Sequence, residues 1–412
     1  MQTIVLAIIA LLLPFHGLIS VALPEGFRFW KEGLVGIAIV LLLVTELIHL
    51  FKIKMLRLSQ SESWALCFLV WLGALVVLRS DTQTAIVAAR YLGMGIGVFF
   101  IFSRLLRVLG ATTQRKLFHV FSITFLFSCV LSVLFGIWAK FGGGFDVLSS
   151  IYSGTISSWV PGQSTPLYHE VDGFIRMQGG SSGPIEFAYL ILISFFLLLI
   201  PHGRTSRFHT LLRIIGGLLF LFALFQSASR IAFGLAVLGV LFSLGQSLRL
   251  PRKRVVTGLL VIILLGAGFI MGNKTLNTKF VQRVGTSEHF TKPVEAFRMG
   301  LTSPITGNLG ALGPSARATN LKENNDDSAL IAENVFADVF AQTGVVGLVL
   351  LIGFFVTLFL VSSPLFYPIL IATLVAINSA TLFDMIPIAM TFCILFAFFA
   401  TMGKMTMKKY FV

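Results

Sequence analysis

Long apolar runs, broken by short polar stretches, set the rhythm of this chain. A helix needs about 20 predominantly apolar residues, within about 17–25, to cross the hydrocarbon core of a bilayer. Runs of that length fall near 2–22, 34–51, 63–79, 85–103, 117–139, 183–201, 209–227, 230–248, 255–272, 335–361, 366–384 and 387–403. Asp384 and Pro387 separate the last two, which otherwise form one continuous apolar stretch. The pattern predicts about twelve transmembrane helices. A β-barrel would show as short alternating segments, and the runs here are continuous. The expected fold is all-α: a polytopic helical membrane protein, with residues 1–412 as a single integral membrane domain. The first run lacks a basic flank, so it reads as a retained helix and not as a cleaved leader.

Two long polar stretches interrupt this rhythm, at 140–182 and 273–334. The first is rich in Gly and Ser and carries Trp159 and Tyr168. Aromatic rings beside spans read as interface anchors, with sugar stacking as the sharper alternative. The second holds Lys274, Lys279, Arg283, His289, Lys292, Arg298, Arg317 and Lys322, and its end, Glu333-Asn334, leads straight into the run at 335–361. So apolar a chain has few reasons to keep so large a polar insert. It reads as a lid over an active site.

Composition supports the membrane reading. Of 412 residues, 56% are hydrophobic and 12% are charged, against about 25% charged in soluble domains. The net charge of +14 would suggest nucleic acid in a soluble protein, but here it fits basic loops facing anionic lipid. With the N-terminus inside, one set of loops and the tail collect Lys52, Lys54, Arg57, Arg104, Arg107, Arg115, Lys116, Arg204, Arg207, Arg213, Arg249, Arg252, Lys253, Arg254, Lys404, Lys408 and Lys409. The opposite loops collect Glu25, Glu32, Asp81, Asp146, Glu170, Asp172, Glu288, Glu295, Glu323, Asp326 and Asp327. That asymmetry puts both long loops on the outer face. Cys67, Cys129 and Cys393 all lie in apolar runs, as small core residues do.

Ionisable residues inside a bilayer are costly and mark function. Glu46, Arg90, Glu186, Arg230, Asp338 and Asp384 stand in or at the edge of apolar runs. Arg90 has a snorkelling alternative; Arg230 has less of one, because it sits at a tight outer turn. Outer arginines without close acids suggest an anion, since guanidinium groups grip phosphate in a bidentate way. Arg90, Arg176 and Arg230 are the arginines that this argument singles out. No His/Cys cluster, Asp-x-Asp motif or Gly-rich phosphate loop calls for a metal, nucleotide or other cofactor; the adjacent Asp326-Asp327 reads as a solvated turn, with a divalent-ion site as its sharper alternative. Glu333 at the membrane edge can accept the proton of an attacking hydroxyl. Its bland alternative is a helix-start residue, and Asn334 can serve as a cap.

These residues, in order, resemble those of the O-antigen ligase / O-antigen polymerase superfamily. Arg176…Gly179-Gly180…Pro184 looks like the family's Arg-x-x-Gly…Pro segment. Ser229-Arg230 is similar to its Ser-Arg at a helix start, and Pro304…Gly307…Gly310 to its outer-loop turn. Glu333-Asn334…Thr343-Gly344…Gly347-Leu348 resembles the strongest motif, His-Asn-x-x-Leu…Glu-x-Gly-x-x-Gly-Leu. The resemblance covers about 60–400, with 183–361 as its core.

The resemblance implies an inverting, metal-independent membrane glycosyltransferase of the bacterial inner membrane, working on its periplasmic or extracellular face. It implies an undecaprenyl-diphosphate-linked oligosaccharide as donor and a glycan or lipid acceptor. A chain-length regulator is an open further partner. Arg230 and Arg283 would grip the diphosphate. Arg176, Arg90, His289, Lys292, Arg298, Asn334 and Asp338 would line the substrate. Glu333 stands where ligases carry histidine, which favours polymerase over ligase. Gln342 replaces the usual acid before Thr-Gly. The competing class is a multi-pass transporter or flippase of lipid-linked glycans; the large cationic loop argues against it.

Overall fold

The structure is a computed structural model. It describes residues 2–22, 30–31, 33–38, 40, 44, 58–144, 169–171, 174–200, 207–247, 288–316, 320, 329–363, 366–377 and 385–402. The expected run at 255–272, most of 34–51, Arg283, Asp384 and the side chain of His289 lie outside the described residues. So does most of the polar stretch at 140–182.

The described chain is helical almost throughout. α1 (Gln2–Leu12) passes through a 3-10 turn at Leu13–Phe15, carrying Pro14, into α2 (His16–Ala22). α3 (Gln60–Leu78), α4 (Thr82–Val108) and α5 (Ala111–Phe141) follow. The one sheet among the described residues is an antiparallel pair, β1 (His169–Val171) with β2 (Phe174–Arg176). Then come α6 (Pro184–Leu199), α7 (Arg207–Gln226), α8 (Arg230–Ser247), α9 (Glu288–Thr302), α10 (Val335–Val361), α11 (Tyr367–Ile377) and α12 (Ile386–Met402). The all-α class stands. By length and composition, five stretches among the described residues suffice to cross a membrane: Thr3–Ser20, Gln60–Leu78, Thr82–Val108, Ala111–Phe141 and Val335–Val361. Shorter apolar helices occupy the runs expected near 183–201, 209–227, 230–248, 366–384 and 387–403.

Local signals account for the helix starts. Ser59 and Glu62 form a reciprocal capping box at the start of α3, and the Asp81 side chain accepts from the Thr84 amide to start α4. Each satisfies backbone donors that a helix start leaves open. α3 packs on α4 and α10, α4 on α12, α1 on α5, and α6 on α7 and α8. α12 is buried from Ile386 to Phe399, as a helix apolar on every side must be. α7 exposes an apolar face of Leu211, Ile214, Ile215, Leu218, Phe222 and Phe225.

One acid breaks the expected charge asymmetry. Glu62 lies among the basic residues of the inner set, at the start of α3, and is fully buried. Its carboxylate accepts from the Ser103 hydroxyl at 2.7 Å and pairs with Arg107 at 3.0 Å and Arg104 at 3.9 Å. The cluster ties the start of α3 to the end of α4.

α10 is bent, not a single straight span. Gly344 has φ 69 and ψ −171, outside helical geometry. Phe336 and Phe355, both in α10, have ring centroids 6.5 Å apart. Nineteen residues of straight helix would span about 28 Å. The two halves therefore fold toward each other about Gly344. The break frees three backbone groups, and each finds a partner outside the helix: the Ala341 carbonyl accepts from the Asn308 amide at 2.7 Å, the Val345 amide donates to the Pro304 carbonyl at 2.8 Å, and the Thr343 carbonyl accepts from the Trp71 indole at 2.9 Å. The segment 335–343 is thus a separate half-helix. α9 packs along it through Ala296 and Gly300, and Phe297 stacks on Phe340 at 4.8 Å.

Candidate active site

The candidate residues form two groups. The first is built where β2 meets the turn between α7 and α8. The Met177 amide donates to the Gln226 carbonyl at 2.9 Å, and Arg176 Nε donates to the Ser227 carbonyl at 2.8 Å. These bonds hold the Arg176 guanidinium over the turn that begins α8 at Arg230. The turn is shaped by its own serines: the Ser227 hydroxyl donates to the Leu224 carbonyl at 2.7 Å and accepts from the Ser229 amide at 3.3 Å. Partial burial, and after it the Arg230 charge, hold the Arg176 guanidinium below its ordinary pKa. An arginine stays cationic at neutral pH even so.

Lys140 joins them from the last turn of α5. Its Nζ donates to Gln226 Oε1 at 2.6 Å and sits 3.8 Å from the centre of the Phe174 ring. A desolvated ammonium gains from a ring face at that range. Three cations thus converge through one glutamine and one turn. Among the residues whose side chains are described, no carboxylate pairs with Lys140, Arg176 or Arg230.

The second group surrounds the start of the 335–343 half-helix. Glu333 Oε1 accepts from Lys292 Nζ at 3.1 Å. Asn334 is the cap, its Oδ1 accepting from the Ala337 amide at 2.9 Å, so the cap alternative weighed for it is what the structure shows. Glu333 precedes the cap and is not in the first helical turn. Asp338 is buried, and its carboxylate accepts from Gln342 Nε2 at 2.9 Å. The other end of that amide accepts from the Gly310 amide at 3.2 Å. Gln342 is therefore a side-chain bridge between the half-helix and the 303–310 turn, beside the backbone links already described.

Backbone conformation singles out both groups. Among the described residues, the non-glycine positions with positive φ are Ala228 and Glu333, each at 53°. Such conformations cost about 1–3 kcal/mol in non-glycine residues and gather at functional sites. One is Glu333 itself; the other stands two residues before Arg230.

The remaining candidates stand apart. Arg90 is on α4, eight residues beyond the Thr82 start, with its guanidinium carbon 5.5 Å from the Tyr91 ring centre. Arg298 is exposed on α9. The sequence reading missed Lys140 and Arg79. Arg79, at the end of α3, donates to the Gly307 carbonyl and to Asn308 Oδ1 at 3.2 Å. A signal was available for both: they are cations at the acid-rich ends of spans, against the charge trend. Gln226 and Gln342 offered none.

A family model described as O-antigen ligase matches residues 215–352. The match supports a place among the O-antigen ligases and polymerases. No curated relative matches the chain. The matched stretch takes in Arg230, Lys292, Arg298, Glu333, Asn334 and Asp338, together with the Gly344 bend; Lys140, Arg176 and Arg90 lie before it. The match and the apolar helices together support a membrane enzyme of the O-antigen ligase/polymerase family.

Proposed function

We propose that the protein transfers a glycan from an undecaprenyl-diphosphate carrier to a glycan or lipid-linked acceptor on the outer face of the bacterial inner membrane. The observation that carries this reading is the convergence of Lys140, Arg176 and Arg230 with no described carboxylate among them. Like charges held together repel unless an anion joins them. A diphosphate at a membrane edge supplies that anion, and arginine forks suit its oxygens. The arrangement of charged loops supports the outer face. Arg283, expected as a further ligand, lies outside the described residues.

In the proposed step, the acceptor oxygen attacks the anomeric carbon directly and inverts it. The new bond joins that oxygen to the carbon. The bond that breaks joins the carbon to the diphosphate oxygen, which leaves with the electron pair. Glu333 takes the acceptor proton, and Lys292 orients its carboxylate. The cations balance the charge that develops on the leaving group, in the manner of preorganised electrostatic stabilisation.

Polymerase is the favoured branch, because Glu333 occupies the position of the ligase histidine. The test uses full-length protein in nanodiscs with an undecaprenyl-diphosphate repeat unit, with and without lipid A–core. Longer lipid-linked chains from the donor alone support the polymerase. Transfer only to lipid A–core makes it a ligase. Translocation of the donor across a vesicle with no new glycosidic bond overturns the proposal in favour of a flippase.

A further inference from the structure

α9 has three sides, not the two of an ordinary surface helix. Ala296 and Gly300 are buried against the 335–343 half-helix, with Met299 packed beside them. A second flank is apolar yet uncovered: Val294 is 51% exposed, Phe297 47%, Leu301 57%, and Ile305 just past the helix end 64%. The spacing of 294, 297 and 301 is three then four, one face of a helix. A third flank holds Thr291, Glu295, Arg298 and Thr302, all exposed. At about 100° per residue the apolar and polar flanks lie side by side, both turned from the protein.

The apolar flank does not end at α9. Ile305 lies against Gly344, and the next amide, Val345, donates to the Pro304 carbonyl. Val345 begins a second exposed row down α10: Val345, Val349, Ile352, Val356 and Leu360, between 43% and 73% exposed. On a membrane-crossing helix such a row faces acyl chains. The uncovered flank of α9 is thus continuous with a lipid-facing surface. The fold-over at Gly344, which brings Phe336 to Phe355, also means that the 335–343 half-helix and α9 do not simply prolong α10 outward into water.

We infer that α9 lies in the membrane interface, with Val294, Phe297, Leu301 and Ile305 dipped into the acyl chains of the leaflet and Glu295 and Arg298 facing water. Helices divided in this way bind in the plane of the interface with the apolar face about 5–10 Å below the headgroups. The occupant of the flank is lipid. α9 also carries Lys292, so its depth sets that of the Lys292–Glu333 pair. That consequence rests on the proposed function; the placement of α9 does not.

The test places single cysteines at 294, 301, 295 and 298 in full-length protein with Cys67→Ser, the exposed native thiol. A bimane label reports on each in nanodiscs, with Val349→Cys as the acyl-facing reference. Brominated phosphatidylcholine should quench labels at 294, 301 and 349 by at least about twofold more than those at 295 and 298. Aqueous iodide should show the reverse order. Equal access of iodide to all four α9 labels would put the flank in water and overturn the inference. Protection of 294 and 301 from both quenchers would also overturn it, in favour of a second copy covering the flank. Using two positions per flank keeps the reading independent of any one variant that folds poorly. None of these outcomes depends on glycan transfer.

Discussion

Replacing Gly344 with alanine should break the link between α10 and the outer turn. An added Cβ would stand 2.1 Å from the Ile305 carbonyl oxygen and 2.7 Å from the Thr306 amide nitrogen. Both are backbone atoms, so no side chain can swing away to make room. The conformation itself, φ 69 with ψ −171, is one that essentially only glycine adopts and costs a side-chain-bearing residue about 1–3 kcal/mol. Moving the 303–310 turn away would sacrifice the Asn308–Ala341 and Val345–Pro304 hydrogen bonds. Each buried group left unmatched adds about 1–3 kcal/mol. Straightening α10 instead would give up the Phe336–Phe355 contact and carry Glu333 away from Lys292. By either route the cost is at least about 3 kcal/mol. The check is thermal unfolding of purified protein in detergent, where Gly344→Ala should lower the apparent Tm by about 3 °C or more. Gly73→Ala is the control, because a Cβ there meets nothing within 4 Å; it should stay within about 2 °C of wild type. A Gly344→Ala protein as stable as the Gly73→Ala control would refute the bend and the packing argument built on it.

Other expectations follow from single contacts. Lys140→Gln should weaken binding of undecaprenyl diphosphate about tenfold and flatten its salt dependence, with Lys140→Arg recovering part of the loss; titration at two salt concentrations measures both, and unchanged affinity removes Lys140 from the site. Glu333→Gln should lower glycan transfer at least about a hundredfold with little change in melting, and full activity in this variant rules out the base role. Glu62→Ala leaves Arg104 buried without its acid and should destabilise by about 3 kcal/mol, read as a fall in apparent Tm; a Tm unchanged from wild type would mean that the cluster contributes nothing. Ala228→Gly relieves a positive φ of 53° and should raise apparent Tm modestly, equivalent to up to about 1 kcal/mol.

The apolar helices were legible because a bilayer imposes a one-dimensional rule. Each crossing needs a minimum length of apolar residues, and α5, α6, α7, α8 and α12 fall where their apolar runs do. The turn at Ser227–Arg230 was legible too, as a polar break between two runs. The positive-inside asymmetry was read from the same local pattern, with Glu62 as its buried exception. Gly344 was visible as part of a motif, but nothing local says that a glycine inside this 27-residue helix bends it back. That follows from Trp71, Pro304 and Asn308 reaching the freed backbone groups, with Trp71 272 residues away from Thr343 in sequence. Lys140 stands at the start of a polar stretch and drew no reading there; Gln226 and Phe174 fix it beside two arginines. Gln342 looked like a minor exchange until its amide joined Asp338 to Gly310. The length of each apolar run determined which segments suit a membrane, since transfer free energy depends on each segment by itself. Which helix ends meet, and so which charges share a site, was decided by tertiary packing, because those pairings depend on shape and hydrogen bonding between residues that no local pattern connects.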